Sequence, residues 1–199
     1  MTKRNQVSSF DYQNLYDTLR DEGYQENRDY DSHIRSHISW IKRNISYESV
    51  LDIGCGSGGS FRMLGGRYKK EVQGAEVSQT AVEKGLALGR NIVQASATCL
   101  PFEDRSFDLV VSSDVFEHLH KDDVPLAASE AIRVAKRFVF MKIATREDVI
   151  GRWKRVAGHP LHLTIEPIEW WIEHFSSAGT ISWNDQHAFC LQLADQITE

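Results

Sequence analysis

Two hydrophobic patterns divide the chain near residue 49. The first part is polar and rich in tyrosine, and isoleucines recur in it at helical spacing, at Ile34, Ile38, Ile41 and Ile45. This spacing predicts an amphipathic helix from Asp31 to about Asn44, with Asp31 or Ser32 as its N-cap and the isoleucine stripe packed in the core. We therefore expect residues 1–48 to form a helical N-terminal cap.

From Ser49 onward, short apolar runs alternate with helical segments, which is typical of βαβ units around a parallel sheet. Seven strands are predicted, at 49–53, 71–77, 91–95, 107–113, 137–143, 180–183 and 187–193. Helices are predicted between them, at about 59–65, 80–88, 122–135 and 167–177. Only a short polar turn joins the last two strands, which predicts a hairpin. The expected fold class is α/β and Rossmann-like: a mostly parallel seven-stranded sheet with an antiparallel last strand and helices on both faces.

Composition narrows the class of protein further. The chain has 199 residues, 41% hydrophobic and 26% charged, which suits one domain over residues 1–199 with its own core. Three scattered cysteines, Cys55, Cys99 and Cys190, form no CxxC pair and favour a reducing compartment. The N-terminus has no apolar signal region and no apolar run approaches 18 residues, so we expect a cytoplasmic protein without a membrane partner. A net charge of −5 disfavours nucleic acid as a partner. The oligomeric state is not indicated.

The most specific motif is a strand running into a glycine-rich turn, VLDIGCGSGGS over residues 50–60. Gly54, Gly56 and Gly59 fit the GxGxxG pattern of dinucleotide sites, and Glu76 follows Gly54 by 22 residues, near the spacing of a ribose-binding acid. Asp52, however, stands at the loop entrance, where a pyrophosphate requires donors rather than a carboxylate. The sulfonium and ammonium groups of S-adenosylmethionine would be attracted there. A nicotinamide-dependent oxidoreductase remains the alternative at this point.

These motifs resemble those of the class I S-adenosylmethionine-dependent methyltransferases. The resemblance runs over about residues 48–143, through LDIGCGSGG, GAEVS at 74–78, ATCLPF at 97–102 and SFDLV at 106–110. It implies S-adenosylmethionine as cofactor and Glu76 as the acid that bonds the ribose hydroxyls. The implied cofactor residues are Asp52, Gly54, Cys55, Gly56, Ser57, Gly58, Glu76, Val77, Ser96, Ala97, Ser113 and Asp114. The chain departs from the family pattern at Ser96, where an Asp commonly bonds the adenine amino group.

The segment after the fourth strand is the expected chemical rim, since ligands bind at the carboxyl ends of the strands in such sheets. Methyl transfer to a hydroxyl requires an in-line acceptor and removal of its proton, and histidine suits that removal. The candidate catalytic residues are His118, His162 and His159.

A long insert at about 145–164 lies between the fifth predicted strand and the helix that follows it, and it is the predicted acceptor loop. Its Arg152, Lys154 and Arg155, around Trp153, are candidates for acceptor recognition.

Two metal hypotheses compete with a metal-free site. Asp114, Glu117, His118 and His162 resemble the ExxEH plus distant His of small-RNA 3′-terminal 2′-O-methyltransferases, which use a metal to hold the terminal ribose hydroxyls. His33 and His37, spaced i, i+4, share one helix face and suit zinc, although packing is the favoured interpretation.

The sequence thus predicts a methyltransferase that acts on a small-molecule acceptor at oxygen, without a metal. The alternatives are a metal-dependent RNA 2′-O-methyltransferase and a non-catalytic cofactor-binding protein.

Overall fold

The computed structural model describes residues 10–25, 32–66, 70–148 and 151–194. Within them lies a seven-stranded sheet in the order β3-β2-β1-β4-β5-β7-β6. The strands are β1 Ser49–Ile53, β2 Glu71–Glu76, β3 Ile92–Gln94, β4 Phe107–Ser113, β5 Ala135–Lys142, β6 Gly179–Asn184 and β7 Ala188–Leu193. The first five are parallel, and β7 runs antiparallel between β5 and β6. The predicted fold class is confirmed, because β7 is the chain's last strand and the only reversed one among the described residues.

Helices connect and cover these strands. They are α1 Tyr12–Asp21, α2 Ile38–Asn44, α3 Phe61–Gly65, α4 Gln79–Ala87, α5 Val124–Val134, α6 Gly151–Ala157 and α7 Ile168–Ser176. Short 3-10 turns occur at His33–Ser36, Phe116–His118 and Lys121–Asp123. Among the described residues, no helix combines the length and the apolar character that crossing a bilayer requires.

The core lies on both faces of the sheet, as β4 illustrates. Val110 packs in a cluster with Trp171 of α7, whereas Leu109 and Val111 pack in a second cluster with Ile41 of α2. Successive side chains of a strand point to opposite faces, so this alternation places helices on both sides. The second cluster also contains Ile34 and Ile45, which confirms that the isoleucine stripe is core.

Two local predictions differ from the structure. The helix expected from Asp31 is a 3-10 turn followed by α2, with a break at His37. Ser36 explains the break, because its hydroxyl bonds the carbonyl of His33 and the ring of His37 instead of leaving the backbone to continue as a helix. Ser32 does cap the turn by accepting the Ile34 N–H, while Asp31 lies outside the described residues. The predicted acceptor loop also contains helix α6.

The strand order reverses direction between β1 and β4, which creates a crevice at their carboxyl ends. Register places Ile53 beside Ala75 of β2 and Ser112 of β4. The residues that follow these three strands therefore meet at one edge of the sheet.

Candidate active site

The glycine loop begins directly after β1 and has a backbone that only glycine adopts easily. Gly54, Gly56 and Gly58 have φ values of +71°, +58° and +94°. The Gly54 N–H donates to the carbonyl of Ala75 at 2.8 Å, which fixes the loop to the end of β2. A Cβ at Gly54 would lie 2.3 Å from Cγ2 of Val115, so the lack of a side chain also allows the segment after β4 to approach.

The carboxylate of Glu76 joins the same loop to the end of β2. Its Oε2 accepts the Gly56 N–H at 2.8 Å and its Oε1 accepts the Ser78 N–H at 2.9 Å. The side chain is buried, yet it lines a cavity at this edge of the sheet, hereafter the main cavity. Glu76 therefore lies at the cavity wall, and its binding of ribose stays a prediction.

The main cavity, with about 640 Å³ of empty space including its open mouth, lies over this edge of the sheet. A smaller cavity continues along the glycine loop. Of the predicted cofactor residues, ten line one or both cavities: Gly54, Cys55, Gly56, Ser57, Glu76, Val77, Ser96, Ala97, Ser113 and Asp114.

Asp52 and Gly58 are not among the residues that line the two cavities. The Asp52 carboxylate is buried behind the loop and accepts a hydrogen bond from the Ser60 hydroxyl. Burial, with a smaller contribution from the charge of Glu76, raises the pKa of Asp52 to about 7. Its attraction for a cationic ligand would therefore act through the loop rather than by direct contact. Gly58 turns toward Arg90, whose Cδ would lie 2.6 Å from an added Cβ.

Helix α1 and the turn after it supply cavity residues that the sequence analysis did not identify. Tyr12, Tyr16 and Arg20 of α1, and Tyr24 of the turn, all line the main cavity. The three helical residues recur at every fourth position, which places them on one face of α1 and is the signal that could have identified them. Arg20 lies against the glycine loop, with its Nη2 3.1 Å from where a Gly56 Cβ would stand. Its buried Nε has no hydrogen-bond partner among the described residues.

Ser96 lines the cavity but uses its hydroxyl locally. Its Oγ lies 2.8 Å from the hydroxyl of Thr98 and accepts the Thr98 N–H at 3.2 Å. These bonds fold residues 96–99 into a turn closed by a bridge between Ser96 and Cys99. The hydroxyl therefore shapes the cavity wall instead of standing free like the Asp that it replaces.

The three candidate histidines lie in different surroundings. His118 lines the main cavity, and its ring meets that of His162 edge to face with centroids 5.0 Å apart. Burial, together with the neighbouring His162, lowers the pKa of His118 to about 3. It is therefore neutral near pH 7 and a weak base. His159 does not line either cavity; its ring packs on Phe10 at 5.8 Å and its Nδ1 lies 2.8 Å from the carbonyl of Pro160.

Three of the four predicted metal ligands come together. One ligand atom from each of Glu117, His118 and His162 lies within 4.8 Å of the others. Asp114 instead forms ion pairs with Lys142 and with Nδ1 of His33, the latter at 2.8 Å.

The zinc hypothesis for His33 and His37 does not fit the structure. Whereas His33 contacts Asp114, Nε2 of His37 contacts Asp185 at 3.1 Å. The two rings therefore serve different carboxylates because the helix that was expected to align them is broken.

The predicted acceptor loop packs against the N-terminal cap. Trp153 of α6 meets Tyr24 edge to face at 5.1 Å, and the Arg152 guanidinium lies 4.6 Å from the Trp153 ring. Arg152 also donates to the carbonyl of Glu22 at 2.5 Å, whereas Lys154 and Arg155 are exposed. In α7, Trp171 is fully buried and Trp170 is partly buried.

The fold and the glycine loop are those of the class I S-adenosylmethionine-dependent methyltransferases, and comparison with known proteins agrees. Residues 51–156 match a family described as "Methyltransferase domain", and the chain belongs to this family. This membership decides against the dinucleotide alternative.

Individual relatives carry related names. A probable tocopherol O-methyltransferase from Oryza sativa subsp. japonica is 32% identical over 52% of this chain and 33% of the relative. A 2-methyl-6-phytyl-1,4-hydroquinone methyltransferase from Synechocystis sp. is 30% identical over 67% of this chain and 46% of the relative. The alignments thus span about a third to a half of the length of these curated relatives.

A solved structure of phosphoethanolamine N-methyltransferase 2 from Haemonchus contortus, in complex with phosphomonomethylethanolamine and S-adenosylhomocysteine, shares the fold. Its TM-score is 0.65 at 18% identity, over 89% of this chain and 46% of that chain.

Proposed function

We propose that the protein transfers the methyl group of S-adenosylmethionine to an oxygen atom of a small-molecule acceptor. The observation that carries the proposal is that His118 lines the main cavity while its Nδ1 is buried without a hydrogen-bond partner in the described part of the chain. Because the ring bonds the backbone of Leu161, Nδ1 is the nitrogen left to accept a hydrogen bond. A hydroxyl group that donates to this atom would satisfy it. The relatives named for tocopherol and hydroquinone substrates support a hydroxylated acceptor.

Charge and the two neighbouring cavities, which share Arg20, Gly54 and Asp114, support a position for the cofactor. Glu76 would accept the ribose hydroxyls, and Ser96 and Ala97 would flank the adenine. The methionyl part would lie along the glycine loop toward Arg20, whose guanidinium complements a carboxylate. This arrangement directs the methyl group toward the His118 end of the main cavity.

His118 then orients the acceptor by accepting a hydrogen bond, because its pKa of about 3 makes it a weak base at neutral pH. As the O–CH3 bond forms and the S–CH3 bond breaks, S-adenosylhomocysteine leaves and the hydroxyl proton passes to solvent water. His162 contacts His118 and stands beside the proposed acceptor position, whereas His159 is not among the residues that line the two cavities and has no role in this proposal. The three cysteines are free thiols, and a cytoplasmic location remains part of the proposal.

The test is a methylation assay on paired acceptors. Purified protein is incubated with S-adenosylmethionine and phenols or hydroquinones, each paired with the aniline of the same shape, and with an RNA oligonucleotide bearing a free 3′ end. Mass spectrometry and NMR then locate the methyl group. We expect an O-methyl product from the phenols, lost in His118→Ala and kept in His174→Ala, a change outside both cavities. Methylation of the aniline nitrogen or of the RNA alone would contradict the proposal.

A further inference from the structure

A cluster of one carboxylate and two imidazoles adjoins the acceptor end of the main cavity. Glu117 and His118 lie on the 3-10 turn after β4, and His162 lies in the segment between α6 and α7. The backbone joins the two segments: the carbonyl of Glu117 accepts N–H groups from Leu163 at 2.8 Å and Thr164 at 3.0 Å. The side chains are therefore brought together by a fixed backbone and not by chance proximity on a loop.

Two polar atoms of the cluster are buried without a hydrogen-bond partner among the described residues. Glu117 Oε1 accepts the Ala144 N–H at 3.0 Å, but Oε2 is buried and has no partner among the described residues. His118 Nδ1 is likewise buried and has no hydrogen-bond partner among the described residues. His162 Nδ1 lies 2.6 Å from the carbonyl of Arg146, so this nitrogen carries the proton and Nε2 keeps its lone pair. Burying acceptors without donors is costly, at about 1–3 kcal/mol for each group.

We propose that Glu117, His118 and His162 bind a divalent first-row transition-metal ion. Two imidazoles and one carboxylate suit zinc, cobalt or manganese better than magnesium or calcium, which prefer oxygen alone. The bond from His162 Nδ1 to a backbone carbonyl is the arrangement that orients metal-bound histidines. Ligands about 2.1 Å from a tetrahedral ion stand about 3.4 Å apart, so the ligand atoms need to draw in by about 1 Å.

Three protein ligands leave coordination positions open, and His118 lines the cavity. The metal site and the proposed function share His118, but ion binding can be measured without cofactor or acceptor. If both are correct, the acceptor oxygen binds the ion, which lowers the pKa of the hydroxyl, and His118 serves as a ligand instead of a direct contact.

The experiment measures metal binding alone, without cofactor or acceptor. Protein freed of metal with a chelator is titrated with Co²⁺, followed by visible absorption, and with Zn²⁺, followed by calorimetry. We expect one ion per chain and the intense absorption of a low-symmetry Co²⁺ centre. His162→Ala should weaken binding by at least about tenfold. The control is His159→Ala, which removes a nearby histidine outside the cluster and should bind as the unaltered protein does.

The amide variant Glu117→Gln gives an independent test if His162→Ala does not fold. It keeps the acceptor for the Ala144 N–H but removes the anionic ligand, so Co²⁺ binding should again fall. Circular dichroism and binding of S-adenosylhomocysteine verify the fold of each variant. Absence of the Co²⁺ spectrum in the unaltered protein, or equal affinity in folded His162→Ala or Glu117→Gln, would overturn the metal site. Neither result would bear on O-methylation, which is measured separately.

Discussion

The carboxylate of Glu76 accepts the N–H of Gly56 at 2.8 Å and thereby joins β2 to the glycine loop of β1. The same carboxylate accepts the N–H of Ser78, the N-cap residue of α4. One buried side chain at the wall of the main cavity thus holds both the glycine loop and the start of α4. A ligand that bonds Glu76 would meet an acid whose orientation is already fixed, which lowers the entropy cost of binding.

Glu76→Gln should weaken binding of S-adenosylhomocysteine by about 10- to 100-fold, because a hydrogen bond to a charged acceptor is worth about 1.5–3 kcal/mol. Calorimetric titration measures this loss. Glu71→Gln is the matched control, since Glu71 is exposed at the opposite end of β2. Unchanged affinity in Glu76→Gln would show that the ribose lies elsewhere.

Arg20 is expected to hold the carboxylate of the methionyl group. Arg20→Gln should raise the dissociation constant of S-adenosylhomocysteine about tenfold or more, because a charge-assisted bond is lost. Binding of 5′-methylthioadenosine, which lacks the amino-acid part, should not change. The control Arg43→Gln alters an exposed arginine that bonds only locally, to the carbonyl of Ser39, as far as the described contacts show. Equal losses for both ligands would mean that Arg20 acts on the fold of α1.

The raised pKa of Asp52 predicts a pH dependence of stability. Its folded-state pKa of about 7 exceeds the value of about 3.9 in an unfolded chain, so the folded protein binds more protons between these pH values. This contribution to stability is present at low pH and is lost as the pH rises through about 7. Asp52→Asn removes this titrating group. The free energy of unfolding of the variant minus that of the unaltered protein should therefore rise between about pH 5 and pH 8.

Urea denaturation at several pH values measures this difference. Asp108→Asn is the control. Burial acts to raise the pKa of Asp108, but the N–H groups of Glu48 and Ser49 donate to its carboxylate and hold this pKa below its usual value. Asp108 therefore titrates below the window, and the effect of Asp108→Asn should stay constant across it. A constant difference for Asp52→Asn as well would contradict the raised pKa.

The central strands were predictable because parallel strands buried on both faces are continuous apolar runs. The predicted bounds of β1 and β4 agree with the structure. The position of Arg20 at the main cavity was not predictable from apolar runs. Helix α1 is polar and docks through a few side chains rather than an apolar stripe. The low pKa of His118 also escaped sequence reasoning, since it arises from burial produced by segments far apart in the chain. The glycine loop was recognised because its function depends on local backbone conformation.

Gly54→Ala should destabilise the protein for two separable reasons. A left-handed φ of +71° costs an alanine about 1–2 kcal/mol, and the new Cβ would lie 2.3 Å from Val115 Cγ2, a form of overpacking that costs about 1–3 kcal/mol. Urea denaturation of Gly54→Ala, Val115→Ala and the double variant separates them. In the double variant the overpacking is relieved, but the unfavourable backbone conformation remains. The changes in the free energy of unfolding caused by the two substitutions should therefore be non-additive. Strict additivity would mean that the loop moves away from Val115 when it gains a side chain.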